Sequence, residues 1–116
     1  MDKDFETKIK PFFWVEQDDS YDLCLSTGDF KHEIFLVREE EGFIGNGYDW
    51  DSLARVFINE KMPDLENEID LDMSEAGTFV VNSKNAETLQ KFALAFRAMC
   101  DDDTMMSDLF SRAELN

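Results

Sequence analysis

The sequence predicts an α+β fold: an antiparallel or mixed sheet of about five strands with three helices mainly on one face, in the order β-β-β-α-β-β-α-α. Three observations carry that expectation. Short aromatic and β-branched runs alternate with turn-forming clusters through the first forty residues. A glycine turn, Gly45-Asn46-Gly47, opens a strongly helical pattern in mid-chain. Two more helical stripes close the sequence, separated by Asp101-Asp102-Asp103-Thr104. A length of 116 residues suits one domain, spanning 1–116, with room for one core.

Residues 1–10 carry little apolar content and read as a loosely held lead-in. Phe12-Phe13-Trp14-Val15 then faces Tyr21, Leu23 and Leu25 across the polar turn Gln17-Asp18-Asp19-Ser20, which predicts a hairpin. Beyond Thr27-Gly28-Asp29, residues Phe30 to Glu39 read as a third strand. Its Ile34-Phe35-Leu36-Val37 centre is apolar on both faces, so the strand is expected to lie centrally. Glu39-Glu40-Glu41-Gly42 is a charged reversal.

The mid-chain helix takes Asp49 as its expected N-cap. Trp50, Leu53, Ala54, Phe57 and Ile58 form its apolar stripe, leaving Asp51, Ser52, Arg55, Asn59 and Glu60 on the wet side. Met62-Pro63 ends it. The glycine turn is not a phosphate loop, because it lacks the third glycine or Lys-Ser/Thr and places Asp49 and Asp51 where they would repel an anion.

Ile69, Leu71 and Met73 alternate with Glu68, Asp70 and Asp72, which predicts a strand with three carboxylates on one face. Ser74 to Gly77 reverses the chain and Phe79-Val80-Val81 returns, making a second hairpin. Such an acidic ladder either protects an exposed strand edge or receives Lys and Arg of a partner. A second helix, capped by Ser83 or Asn85, carries Leu89, Phe92, Ala93, Phe96, Met99 and Cys100 inward. A third packs on it through Met105, Met106, Leu109, Phe110 and Ala113. The two methionines fill core or form an adaptable surface.

Net charge is −16, from 27 acidic and 11 basic residues, and the two halves of the chain share it evenly. This field repels nucleic acid and anionic membrane, and it accelerates encounter with a basic partner as well as aiding solubility. The charged start and the lack of a membrane-length apolar run predict a cytoplasmic protein. Cys24 and Cys100 sit in apolar segments and read as buried reduced thiols.

Chemistry has little to build on. His32 is the sole histidine and, with two distant cysteines, cannot make a zinc site, so a structural role is expected and no metal or cofactor is implied. Asp70, Asp72 and Ser74 imitate the start of a calcium loop, but Glu75 stands where that loop needs glycine. The reading is of a non-enzyme.

The stretch GFIGNGYDWDSLARVFINEKMPDLENEIDLD, followed by KFALAFRAMCDDD and LFSRAEL, resembles the Immunity protein 51 family of bacterial polymorphic toxin systems. The resemblance runs from Gly42 to Leu115. It implies a small cytoplasmic α+β protein that binds and neutralises a cognate toxin domain, and it assigns no toxin-facing residue. The acidity supports a basic toxin, a nuclease being one class that fits. The acidic ladder, Glu66, Glu68, Asp70 and Asp72 with Glu75, is the expected partner-binding set. An acidic cytosolic adaptor or structural module is the alternative, and the oligomeric state is open.

Overall fold

The computed structural model describes residues 2–115. It is an α+β structure with one three-stranded antiparallel sheet in the order β1-β2-β3, comprising β1 (Phe13–Glu16), β2 (Tyr21–Ser26) and β3 (Thr78–Ser83). The helices are α1 (Lys3–Ile9), α2 (His32–Leu36), α3 (Gly47–Lys61), α4 (Ala86–Cys100) and α5 (Asp103–Phe110). Two 3₁₀ turns, Glu39–Glu41 and Pro63–Glu68, bracket α3. Five strands and three helices were expected; the described residues hold three strands and five α-helices.

The expected lead-in is a helix. Asp2 caps it by accepting from Asp4 N at 3.0 Å, and Phe5 and Ile9, four residues apart, both turn into the core. Phe5 meets Trp14 edge-on, with ring centroids 5.4 Å apart.

The expected hairpin forms, with Phe13 opposite Cys24 and Glu16 opposite Tyr21. On its other side β2 pairs along its whole length with β3, from Tyr21–Ser83 to Ser26–Thr78. Both edges of β2 are thereby occupied, so no central place is left for a strand over 30–39. That segment instead turns at Lys31, a non-glycine residue at φ +54, and becomes the short α2. Its apolar run is not covered on two sides: Phe35 is fully buried, whereas Val37 is 83% exposed.

Leu23, Leu25, Phe79 and Val81 line the buried face of the sheet, and α3 and α4 lie on it. Trp50 of α3 is at the centre of this layer, with the rings of Phe12, Phe30, Phe35, Phe79 and Phe96 at 5.0 to 6.2 Å. Cys24 and Cys100 are buried free thiols, raised by desolvation to about 11 and about 12. His32 packs against Gly45, where a Cβ would come within 2.6 Å of the imidazole Nδ1.

Arg38 closes the C-terminal end. Its Nη1 donates to the carbonyls of Phe110 at 2.6 Å and Ala113 at 2.8 Å, and its guanidinium lies over Phe43 and Phe110. The carbonyls at the end of α5 and just beyond it thus receive a fixed cation.

The docking of α1 has a measurable consequence. Ile9 is only 1% exposed, so Ile9→Ala should lower the unfolding free energy by about 3 kcal/mol in denaturant titration. An unchanged transition midpoint would return residues 2–10 to the status of a loose lead-in.

Candidate functional site

The acidic stretch after α3 is positioned by the start of that helix. Asn46, not Asp49, is the N-cap: its Oδ1 accepts from Asp49 N at 2.9 Å. Asp49 is the reciprocal member, buried, with Oδ2 accepting from Ile44 N at 2.7 Å and Gly45 N at 2.8 Å. Gly47 then fits where no side chain would. A Cβ there would run into the carbonyls of Glu75 and Thr78, and Gly47 N donates to Ala76 O at 3.0 Å. This contact fixes the 75–78 turn against the first turn of α3.

The rest of the acidic stretch is not a strand. Single bridges join Asp70 to Asn82 and Glu75 to Thr78. Between them Asp70 Oδ1 accepts from Asp72 N at 2.8 Å, a side-chain turn that bends the backbone off the ladder. Ser74 fills the gap with its hydroxyl, which accepts from Val80 N at 2.8 Å and donates to Asp51 Oδ1 at 2.7 Å. Glu68, Asp70 and Asp72 therefore do not form a one-faced ladder.

They line two adjoining grooves instead. One, of about 290 Å³, lies between α3 and the acidic stretch and is walled by Arg55, Asn59, Glu66, Asp70 and Asp72 over an apolar floor of Ile58, Ile69 and Leu71. The other, of about 430 Å³, holds Glu68 and Asp70 with Asn82, Lys84 and Asn85. Asp70 is common to both. Glu68 is tethered to the start of α4 by Thr88 Oγ1 at 3.3 Å and Asn85 Nδ2 at 3.4 Å, while Glu75 lies apart, at the turn beside Gly47. The structure thus places four of the five expected residues around two grooves that share Asp70, one beside α3 and one beside the start of α4.

Arg55 approaches Asp72 at 3.7 Å, but both side chains are well exposed, so the pair contributes little. The sequence placed neither Arg55 nor Asn59 at the site, although Arg55 lies four residues after Asp51 and Asn59 four after Arg55, on one helix face. Large apolar side chains are also exposed at Tyr48 in the first turn of α3, at Met73 in the acidic stretch, and at Ile44, 59% exposed, in the loop before α3. A third groove, of about 400 Å³, lies on the other flank of α3 between Arg55 and the tail residues Arg112 and Leu115.

Asp51 and Ser52, expected on the wet side, are buried; Ser74 of the acidic stretch reaches over to Asp51. Asp51 is 4% exposed, and desolvation raises its carboxyl from 3.8 to about 6. Asp72 and Asp70 push the same way, while the Ser74 hydrogen bond and Arg55 oppose. This is the one acid joining α3 directly to the acidic stretch through Ser74. Among the described residues no group of His, Cys, Asp and Glu is arranged to hold a metal ion, and no helix is long and apolar enough to cross a membrane.

An acid whose folded pKa is raised destabilises the native state when charged. That cost is absent below the unfolded value and complete once pH has risen past the folded value. Asp51→Asn keeps an oxygen for Ser74 and removes the titration. The unfolding free energy of the variant minus that of the protein should therefore rise by about 2–3 kcal/mol between about pH 4 and pH 8. Parallel stability profiles for the two proteins would show that Asp51 is not the strained acid.

A sequence profile described as Immunity protein 51 matches residues 12–115. No curated protein and no solved structure matches the chain significantly. The match takes in the sheet, the glycine turn, α3, the acidic stretch and the two C-terminal helices, and on that coverage the chain belongs to the Immunity protein 51 family.

Proposed function

We propose that this chain, acting over 1–116 as one binding unit, neutralises a cognate toxin domain by a stoichiometric complex, with Glu66, Glu68, Asp70 and Asp72, and Glu75 at the rim, facing the toxin. Family membership over residues 12–115 is the observation that carries the reading. An immunity protein has a toxin for its partner, and such families act by binding rather than turnover.

The surface chemistry supports the choice of face. Carboxylates around the paired grooves, little neutralised by exposed Arg55, attract Lys and Arg and speed association. The apolar groove floor and the exposed Tyr48 and Met73 supply contacts of the kind that slow release. An interface of ordinary size, about 1,600 Å² in total, is larger than the grooves and would extend over α3. A toxin that itself binds a polyanion, such as a nuclease, fits best, since its phosphate-binding cations would meet these carboxylates. The complex would form in the cytoplasm.

Co-expression with the toxin domain encoded beside this chain, scoring survival and co-purification, tests the reading. Rescue with a one-to-one complex is expected. In that complex Glu66→Gln, Asp70→Asn and Asp72→Asn together should slow association at least tenfold at low salt and flatten its salt dependence. Unchanged association and slope would remove this face, and a toxin that kills without binding would remove the function.

A further inference from the structure

The two edges of the sheet are treated differently. On β3 every outward backbone position is occupied: Asn82 exchanges hydrogen bonds with Asp70, Thr78 with Glu75, and Val80 N donates to the Ser74 hydroxyl. On β1 none is. Gln17 N donates to Ser20 O at 2.8 Å, so by antiparallel alternation Val15 and Phe13 bond to β2, and the N–H and C=O groups of Trp14 and Glu16 point outward. Neither residue makes a backbone hydrogen bond on that side to another described residue. A cleft of about 500 Å³, bordered by Ile9, Pro11, Phe13 and Trp14, leaves the space beside the edge unfilled by α1.

Of the usual protections this edge has its short length, four residues, and the charge of Glu16. Within Phe13–Glu16 there is no lysine, proline or bulge, and Phe13 is 44% exposed. The indole N–H of Trp14 is buried with no acceptor.

We infer that β1 pairs antiparallel with β1 of a second copy, about a two-fold axis at Val15, joining two sheets into one of six strands. The sequence of the edge is self-complementary in this register. Trp14 faces Glu16 of the partner subunit on the same sheet face. Val15 meets the partner's Val15 on the open face, where two apolar side chains come together. Asp18 and Asp19 run toward the end of the partner strand that carries Lys10. Isologous pairing of this kind closes at two copies.

The net charge of −16, with Glu16, Asp18 and Asp19 of each copy, opposes association, but the acidic grooves add little to this because they lie at the far edge, beyond β3. In the paired sheet seven strand spacings separate the two acidic stretches, roughly 33 Å, against a Debye length of about 8 Å at physiological salt. Pairing therefore strengthens with salt and leaves both acidic faces open. The inference does not rest on the toxin reading.

Sedimentation velocity of the isolated chain over a range of concentration and salt provides the test. A species of twice the 13.5 kDa chain mass, favoured by higher salt, is expected. Glu16→Pro removes an outward N–H and no bond to β2, so it should weaken the dimer at least tenfold while leaving the unfolding midpoint nearly unchanged. Val15→Cys should form an intermolecular disulfide under mild oxidation, because a non-hydrogen-bonded pair brings the Cα atoms to about 4.5 Å. Phe13→Cys, opposite the partner's Gln17, should not. A chain that stays monomeric at all salts, a dimer indifferent to Glu16→Pro, or equal cross-linking at 13 and 15 would overturn the proposal.

Discussion

One indole holds this protein together. Trp50 is the first apolar side chain to enter the core after the glycine turn, and its ring touches Phe12 before β1, Phe30 and Phe35 around α2, Phe79 in β3 and Phe96 in α4. Segments from every quarter of the sequence thus meet at a single side chain. Edge-to-face and tilted arrangements predominate among these contacts, the geometry that the ring quadrupole favours, and each adds about 0.5–1.5 kcal/mol beyond area burial. Because the contacts share one ring, their energies are coupled rather than additive.

The position of Trp50 depends in turn on how α3 begins. Asp49 gathers the amides of the preceding loop while Asn46 caps the helix, so the backbone arrives at Trp50 in one orientation. Gly47 meanwhile admits the 75–78 turn to contact distance. The same few residues therefore set the core and draw the acidic stretch along α3. Ser74 completes the join, since its hydroxyl serves β3 and Asp51 together. The buried, raised carboxyl of Asp51 is a consequence of that closeness.

Much of this was legible in the sequence, and the failures have particular causes. The hairpin, α3, α4 and α5 carried both periodicity and breakers, and they stand where expected. Residues 30–39 were read as a strand because four apolar residues in a row fit a buried strand and a short helix equally. What decided it was the filling of both edges of β2, a long-range fact. Glu68 to Met73 alternates as a strand should, but Asp70 turns its carboxylate onto its own backbone, and a local hydrogen bond outweighs alternation. The signal for α1 is local and present in the sequence, with Phe5 and Ile9 at helical spacing behind Asp2. Of the site, the carboxylates were legible; their separation into two grooves, and the burial of Asp51, required the fold.

The distribution of cations explains why the acidic face remains acidic. Arg38 is committed to carbonyls after α5 and to Glu41, and Arg97 to Lys10 O and Asp101. Arg112 forks onto Glu60 and Asp108, holding the tail against α3. Each of these arginines does structural work that a planar, five-donor group performs better than an ammonium. They consequently neutralise acids at the C-terminal end and around α4, away from the grooves. There Arg55 and Lys84 border Glu66, Glu68, Asp70 and Asp72, so the carboxylates outnumber the adjacent cations. The fold thus leaves a cluster of little-neutralised carboxylates around the two grooves, at the sheet edge opposite the open strand.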